Sequence, residues 1–160
     1  MFGGREIEII EIAPSDDAAG VLPGSDFIDA YSVSIGLSAA PDARTAALRM
    51  VSDRPAWIGA LMTLRNILVA PFGLVTDTSE ARDRVGIFPV LEQSADRIVL
   101  GLDDKHLDFR VIVELRKTSV ECSVVATTLV ATHNLLGRVY LAMILPFHRV
   151  IVKAMLARVP

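Results

Sequence analysis

From Leu107 to Arg116 the chain alternates between two kinds of position. Leu107, Phe109, Val111, Val113 and Leu115 share one face, while His106, Asp108, Arg110, Ile112, Glu114 and Arg116 share the other. That period of two predicts a strand with one buried face. Asp26 to Ile35 holds aromatic and β-branched residues suited to a strand, and Val85 to Leu91, Arg97 to Leu102 and Val120 to Thr132 read as further strands. Asp103-Asp104-Lys105 and Lys117-Thr118-Ser119 sit where hairpin connections are expected, and Pro89 points to an edge or a bulge. Two helices are expected between the first strand and the others, one from Pro41-Asp42 through Met50 and one opening at Asp53-Arg54-Pro55. In the second, Trp57, Leu61, Leu64 and Leu68 form one apolar stripe, with Arg65 and Asn66 off it. The last helix, within Leu135 to Val159, gathers Tyr140, Ile144, Phe147, Ile151 and Met155 on one side at about 100° per residue, with Arg138, Arg149 and Lys153 opposite. Pro146 removes a backbone donor there, so a kink is expected between Ala142 and Pro146.

One strand, two short helices, several antiparallel strands and a long closing helix predict an α+β fold. The order matches the helix-grip arrangement of Bet v 1-like and START-like proteins, in which a curved antiparallel sheet is covered by a long C-terminal helix. The chain has 160 residues, 52% of them hydrophobic and 22% charged. A chain of that length buries roughly 70% of its unfolded surface as a single domain. No repeat or flexible linker divides it, so residues 22–160 are expected to form one helix-grip domain, preceded by an arm over residues 1–21 that includes a short extended piece. The loosest stretch is Ala13 to Gly24.

Charge narrows the partners. Sixteen Lys plus Arg against nineteen Asp plus Glu give a net charge of -3, so no global positive field draws in nucleic acid. Arg5 to Ile12 is studded with acids where a secretory signal needs an unbroken apolar run. Leu135 to Val159 is long enough to span a bilayer, but Arg138, His148, Arg149 and Lys153 interrupt it, and it reads as an amphipathic helix without a transmembrane role. The lone Cys122 forms no internal disulfide and suits a reducing compartment, so an intracellular, cytoplasmic location is expected.

Several short motifs occur in order. They are Trp57 with Leu64-Arg65-Asn66, Pro71-Phe72-Gly73-Leu74, Leu100-Gly101-Leu102-Asp103-Asp104, His106-Leu107-Asp108-Phe109-Arg110, Thr132-His133-Asn134-Leu135-Leu136-Gly137-Arg138 and Pro146-Phe147-His148-Arg149. Together they resemble the domain of unknown function 2867 family, from about Leu22 to the C-terminus. The resemblance implies a Bet v 1-like fold, within the START-like (SRPBCC) superfamily, with a cavity between sheet and closing helix. It supplies no reaction and no catalytic residues, so the candidate site rests on side-chain chemistry.

The expected sheet wall of that cavity is Leu107, Phe109, Val111 and Val113, and the expected helix wall is Tyr140, Ile144, Phe147 and Ile151. His148, at the edge of the helix's apolar face, is a candidate polar anchor, or else satisfies a carbonyl released by Pro146. Asn134 suits a helix cap, and His133 beside it either points into the cavity mouth or makes ordinary local hydrogen bonds. Tyr140 lines the pocket or sits in the core with an internal partner. His106, Asp108 and Arg110 form either a hydrogen-bonded set suited to proton transfer or a ladder facing solvent or a second copy. Arg65 either reaches a ligand carboxylate or covers apolar surface with its stem. His106, His133 and His148 lie on different elements and lack metal-site spacing, so no metal is expected, and no nucleophile elbow or cofactor-binding glycine pattern points to a cofactor. Cys122, in an apolar strand, reads as core.

Three functions compete. The first is a module that binds a small hydrophobic ligand between sheet and closing helix. The second is an enzyme of cyclase, isomerase or hydrolase type in which His133, His148 or Tyr140 moves a proton. The third is a structural or regulatory homo-oligomer, such as a homodimer, joined through the His106, Asp108, Arg110 face or the N-terminal arm.

Overall fold

The computed structural model describes residues 6–52, 56, 59, 83–86 and 88–160. Among these residues seven strands form one antiparallel sheet: β1 (Ile9–Ile12), β2 (Phe27–Ile35), β3 (Arg84–Val85), β4 (Phe88–Gln93), β5 (Arg97–Asp103), β6 (Leu107–Lys117) and β7 (Cys122–Thr132). The described helices are α1 (Ala18–Val21), α2 (Ala43–Val51) and α3 (Leu135–Leu156). The spatial order is β1-β2-β7-β6-β5-β4-β3. Consecutive strands from β3 to β7 are neighbours, and the last of them returns beside β2. The chain is therefore α+β, with the sheet continuous from the N-terminal arm to β3.

The strand that closes this order is also the most buried. β7 pairs with β2 on one edge and β6 on the other, so neither edge meets water, and both of its faces are covered. That double cover explains its run of valines, alanines and threonines without strict alternation. On one face Tyr31, Val33, Ile98, Leu100, Val113, Val124 and Ala126 pack with Ala46 and Met50 of α2 and Val152 and Leu156 of α3. On the other, Ala18 and Leu22 cover Val99, Ile112 and Leu129. The stretch expected to be loosest thus contributes α1 to the second core, and an Asp17–Arg97 ion pair fastens it to β5. Four residues with glycine among them, Ala-Ala-Gly-Val, carry too few apolar positions to show a helical period.

The expected single strand Val85 to Leu91 is instead two strands, β3 and β4, paired antiparallel with Val85 opposite Phe88. Gly86, at φ 62°, occupies the left-handed region that such a tight reversal needs. Register shifts between Val90 and Glu92, next to Pro89, where the sequence pointed to an edge or bulge. The second expected helix, with Asp53-Arg54-Pro55, Trp57, Leu61, Leu64, Arg65, Asn66 and Leu68, lies outside the described residues apart from 56 and 59, as does Pro71-Phe72-Gly73-Leu74.

α2 and α3 start from side-chain caps. The Asp42 carboxylate accepts from the Thr45 amide at 2.7 Å, and the Asn134 side chain accepts from the Gly137 amide at 3.0 Å. α3 runs as one 22-residue element through Pro146, packed on β7, β2 and α2. By length and composition it is long and apolar enough to cross a membrane, with a mean hydropathy of 1.6 over its most apolar stretch.

Candidate functional site

Between the sheet and α3 lies a cavity of about 270 Å³. Its floor comes from the inward-facing residues of three adjacent strands, with Leu100 on β5, Leu107, Phe109, Val111 and Val113 on β6, and Ala126, Thr128 and Val130 on β7. Alternation along β6 puts its four at every second position, which is why one strand supplies so much of the wall. Tyr140, Leu141, Ile144, His148, Ile151 and Met155 of α3 form the opposite wall, and Ala47, Met50 and Val51 of α2 close one end. Phe88 meets Phe109 edge-on, with ring centroids 5.4 Å apart and planes at 75°. Among the described lining residues only Thr128, Tyr140 and His148 bring side-chain polar atoms.

Eight of the ten residues expected at the site line this cavity: Leu107, Phe109, Val111, Val113, Tyr140, Ile144, His148 and Ile151. Phe147 and His133 do not. The Phe147 ring is 50% exposed, because the packed face of α3 is turned by about 40° from the expected one, toward Leu141, His148 and Val152. A polar contact fixes that turn. His148 Nε2 lies 3.2 and 3.1 Å from the two carboxylate oxygens of Asp29, a residue only 7% exposed on β2. Leaving that carboxylate alone in an apolar layer would be costly, so the helix presents its histidine there instead of its phenylalanine. His148 therefore sits at the centre of the packed face, and its partner is a carboxylate rather than a carbonyl freed by Pro146.

His133 belongs to the outer face. Its Nε2 lies 3.1 Å from Asp108 Oδ2, with 42% of its side chain exposed, and its amide donates to the His106 carbonyl at 2.9 Å. Position fixes this outcome, because the residue falls between the end of β7 and the cap of α3, above the β5–β6 hairpin. The same face resolves the His106, Asp108, Arg110 ladder into separate pairs. His106 Nδ1 meets Asn134 Nδ2 at 2.9 Å, Asp108 meets His133, and Arg110 pairs with Asp103 at 2.6 Å. No hydrogen-bonded triad forms among those three side chains. Cys122 is fully buried, and burial pushes its thiol up from the ordinary value, which disfavours the nucleophilic thiolate. Among the described residues, no group of three His, Cys, Asp or Glu side chains is placed to hold a metal ion.

Asp29 is the functional candidate that pattern reading passed over. Phe27, Asp29, Tyr31, Val33 and Ile35 share one face of β2, and an acid on an otherwise apolar inward face was the available signal. Asp29 sits directly across from Thr128, a lining residue, so carboxylate, hydroxyl and imidazole gather at one corner of an apolar chamber. Phe27 packs edge-on against the His148 ring, centroids 5.7 Å apart at 88°, which holds the imidazole plane. Deeper on β2, Tyr31 is 1% exposed, and burial followed by the nearby Asp29 charge raises its phenol above the ordinary value. It stays a neutral phenol at neutral pH. Lys153 Nζ stands 5.6 Å from its ring centroid, a cation facing an aromatic ring.

No curated protein and no solved structure matches the chain. A match to the model of a family described as protein of unknown function (DUF2867) covers residues 21–155, from the last residue of α1 through nearly all of α3, and the chain belongs to that family.

Proposed function

We propose that the chain is a helix-grip domain of the Bet v 1-like and START-like kind that encloses a small, largely apolar molecule between its sheet and α3. The supporting observation is the cavity of about 270 Å³, whose described lining residues are apolar except for Thr128, Tyr140 and His148. An aliphatic cavity of about 150 Å³ already admits benzene, so a ring with a short chain suits this space. On this reading α3 is a cavity wall and not a membrane span, since Arg138, His148, Arg149 and Lys153 fall along it. Native mass spectrometry of gently purified protein, followed by organic extraction, tests the reading and reports the oligomeric state. A stoichiometric apolar adduct, or a mass shift across a lipid and metabolite panel, is expected. Apo protein that takes up nothing from the panel would sink it.

The Asp29–His148 pair favours one second reading, an enzyme that moves a proton at the bound molecule. A carboxylate that orients an imidazole is half of a familiar acid–base arrangement. Extracting the bound molecule after incubation in deuterium oxide separates the two. Deuterium on carbon in the presence of wild-type protein, absent with His148→Phe, marks an enzyme, and an unlabelled ligand marks a carrier.

A further inference from the structure

The polar corner of the cavity restricts what enters it. Both Asp29 oxygens face His148 Nε2, at 3.2 and 3.1 Å, so that nitrogen carries a proton in either form of the imidazole. Asp29 does not line the cavity, whereas His148 does, and among the described residues Nδ1 makes no hydrogen bond. Nδ1 is thus a polar atom open to a guest, with the Thr128 hydroxyl at the same corner, in described walls that are otherwise largely apolar. It is a lone pair on the neutral ring and an N–H on the imidazolium.

Guest chemistries differ at such an atom. A carbonyl or ether oxygen only accepts, and matches Nδ1 only when the ring is charged. A carboxylate brings a second negative charge close to Asp29 in apolar surroundings, where like charges are strongly unfavourable. A hydroxyl both donates and accepts, so it satisfies Nδ1 in both forms and adds no charge. Resting on the ligand-binding reading above, we propose that the cavity is a site for a small apolar alcohol or phenol, its hydroxyl hydrogen-bonded to Nδ1 of His148. Asp29 is a positioning residue, which fixes the tautomer and ring orientation from behind. The rest of the guest lies against Phe109, Val111, Ile144 and Ile151.

Calorimetric titration of the full chain with 4-propylphenol, propylbenzene and 4-propylbenzoate tests this. The phenol is expected to bind about tenfold tighter than the hydrocarbon, the effect of one well-made buried hydrogen bond, and the benzoate no better than the hydrocarbon. His148→Phe keeps a ring against Phe27 but strands Asp29, so the double variant Asp29→Leu/His148→Phe is measured beside it. In the double variant propylbenzene should still bind, which reports an intact chamber, and the phenol preference should fall below about twofold, a residual near 0.4 kcal/mol. The 15N shifts of the His148 ring read the role of Asp29. Wild type should show a protonated Nε2, and Asp29→Asn should shift that signature. Equal binding of phenol and hydrocarbon, a preference for the benzoate, or a phenol preference that survives in the double variant would each overturn the hydroxyl site while leaving the apolar cavity standing. Failure of all three probes would bring down the ligand-binding reading, and this proposal with it.

Discussion

Gly137 shows how one missing side chain positions the helix that walls the cavity. A Cβ built there would lie 2.1 Å from the His106 carbonyl oxygen, inside any van der Waals limit, and that oxygen belongs to backbone that accepts from the His133 amide. In a free helix, glycine to alanine stabilises by about 1 kcal/mol. Here the contact should reverse the sign, and Gly137→Ala is expected to cost about 2 kcal/mol net through forced displacement of the hairpin or the helix start. Urea unfolding of the two proteins measures it, and a stabilised variant would contradict the close approach. Gly101 is similarly confined, with a built Cβ at 2.8 Å from the Phe109 carbonyl oxygen. Asp29 and His148 are the other pair for which single atoms decide. Removing the imidazole leaves a buried carboxylate without its partner, so His148→Ala should lose about 1–3 kcal/mol in the same assay. The exposed Phe147, one position away, should tolerate alanine within about 0.5 kcal/mol.

Between elements, the joints are capped and clamped by carboxylates and amides. Asp26 grips the end of β7 from the start of β2. It accepts from the Thr132 hydroxyl and from the Thr132 amide, and those two bonds, in that order, hold its carboxyl below the ordinary value. The Thr45 amide does the same for Asp42 at the start of α2, and Arg97 for Asp17 at α1. Each of these groups has its folded value depressed, so the stability it contributes is complete above the unfolded value and is lost as pH falls through the folded one. Urea midpoints are expected to drop from about pH 5 downward. Asp26→Asn should show a shallower acid limb than wild type, and an unchanged limb would mean the clamp does not form. Much of this scaffold was legible along the chain. Alternation from Leu107 to Leu115 identified the inward face of β6, and Asn134 stood where a cap was needed. What escaped reading depended on tertiary partners: α1 is too short for periodicity, the β3–β4 reversal rests on one glycine at φ 62°, and the rotation of α3 was set by Asp29, 119 residues away along the chain. An amphipathic pattern spread over adjacent residues fixes a helix face only to within about 40°, and here one buried acid chose between His148 and Phe147.

At the scale of the molecule, two buried alanines distinguish a chamber under α3 from a close-packed core. Ala126, 1% exposed on β7, lines the cavity, while Ala46, fully buried on α2, packs into the core without lining it. Enlarging a residue in a close-packed region forces neighbours off their rotamers, so Ala46→Leu should cost about 1–3 kcal/mol. The same change at Ala126 adds the same methyl groups to a wall that faces open volume. Ala126→Leu is therefore expected to leave stability unchanged or raise it by about 0.5–2 kcal/mol, as cavity filling does. Its binding of propylbenzene should weaken by at least about tenfold, because a guest of that size and the new side chain compete for one space. The two readouts together discriminate in a way neither does alone. A packed interior would make both leucine variants unstable, a chamber that opens elsewhere would leave Ala126→Leu binding normally, and only a ligand-sized void beneath α3 gives a protein that is at least as stable and less able to bind.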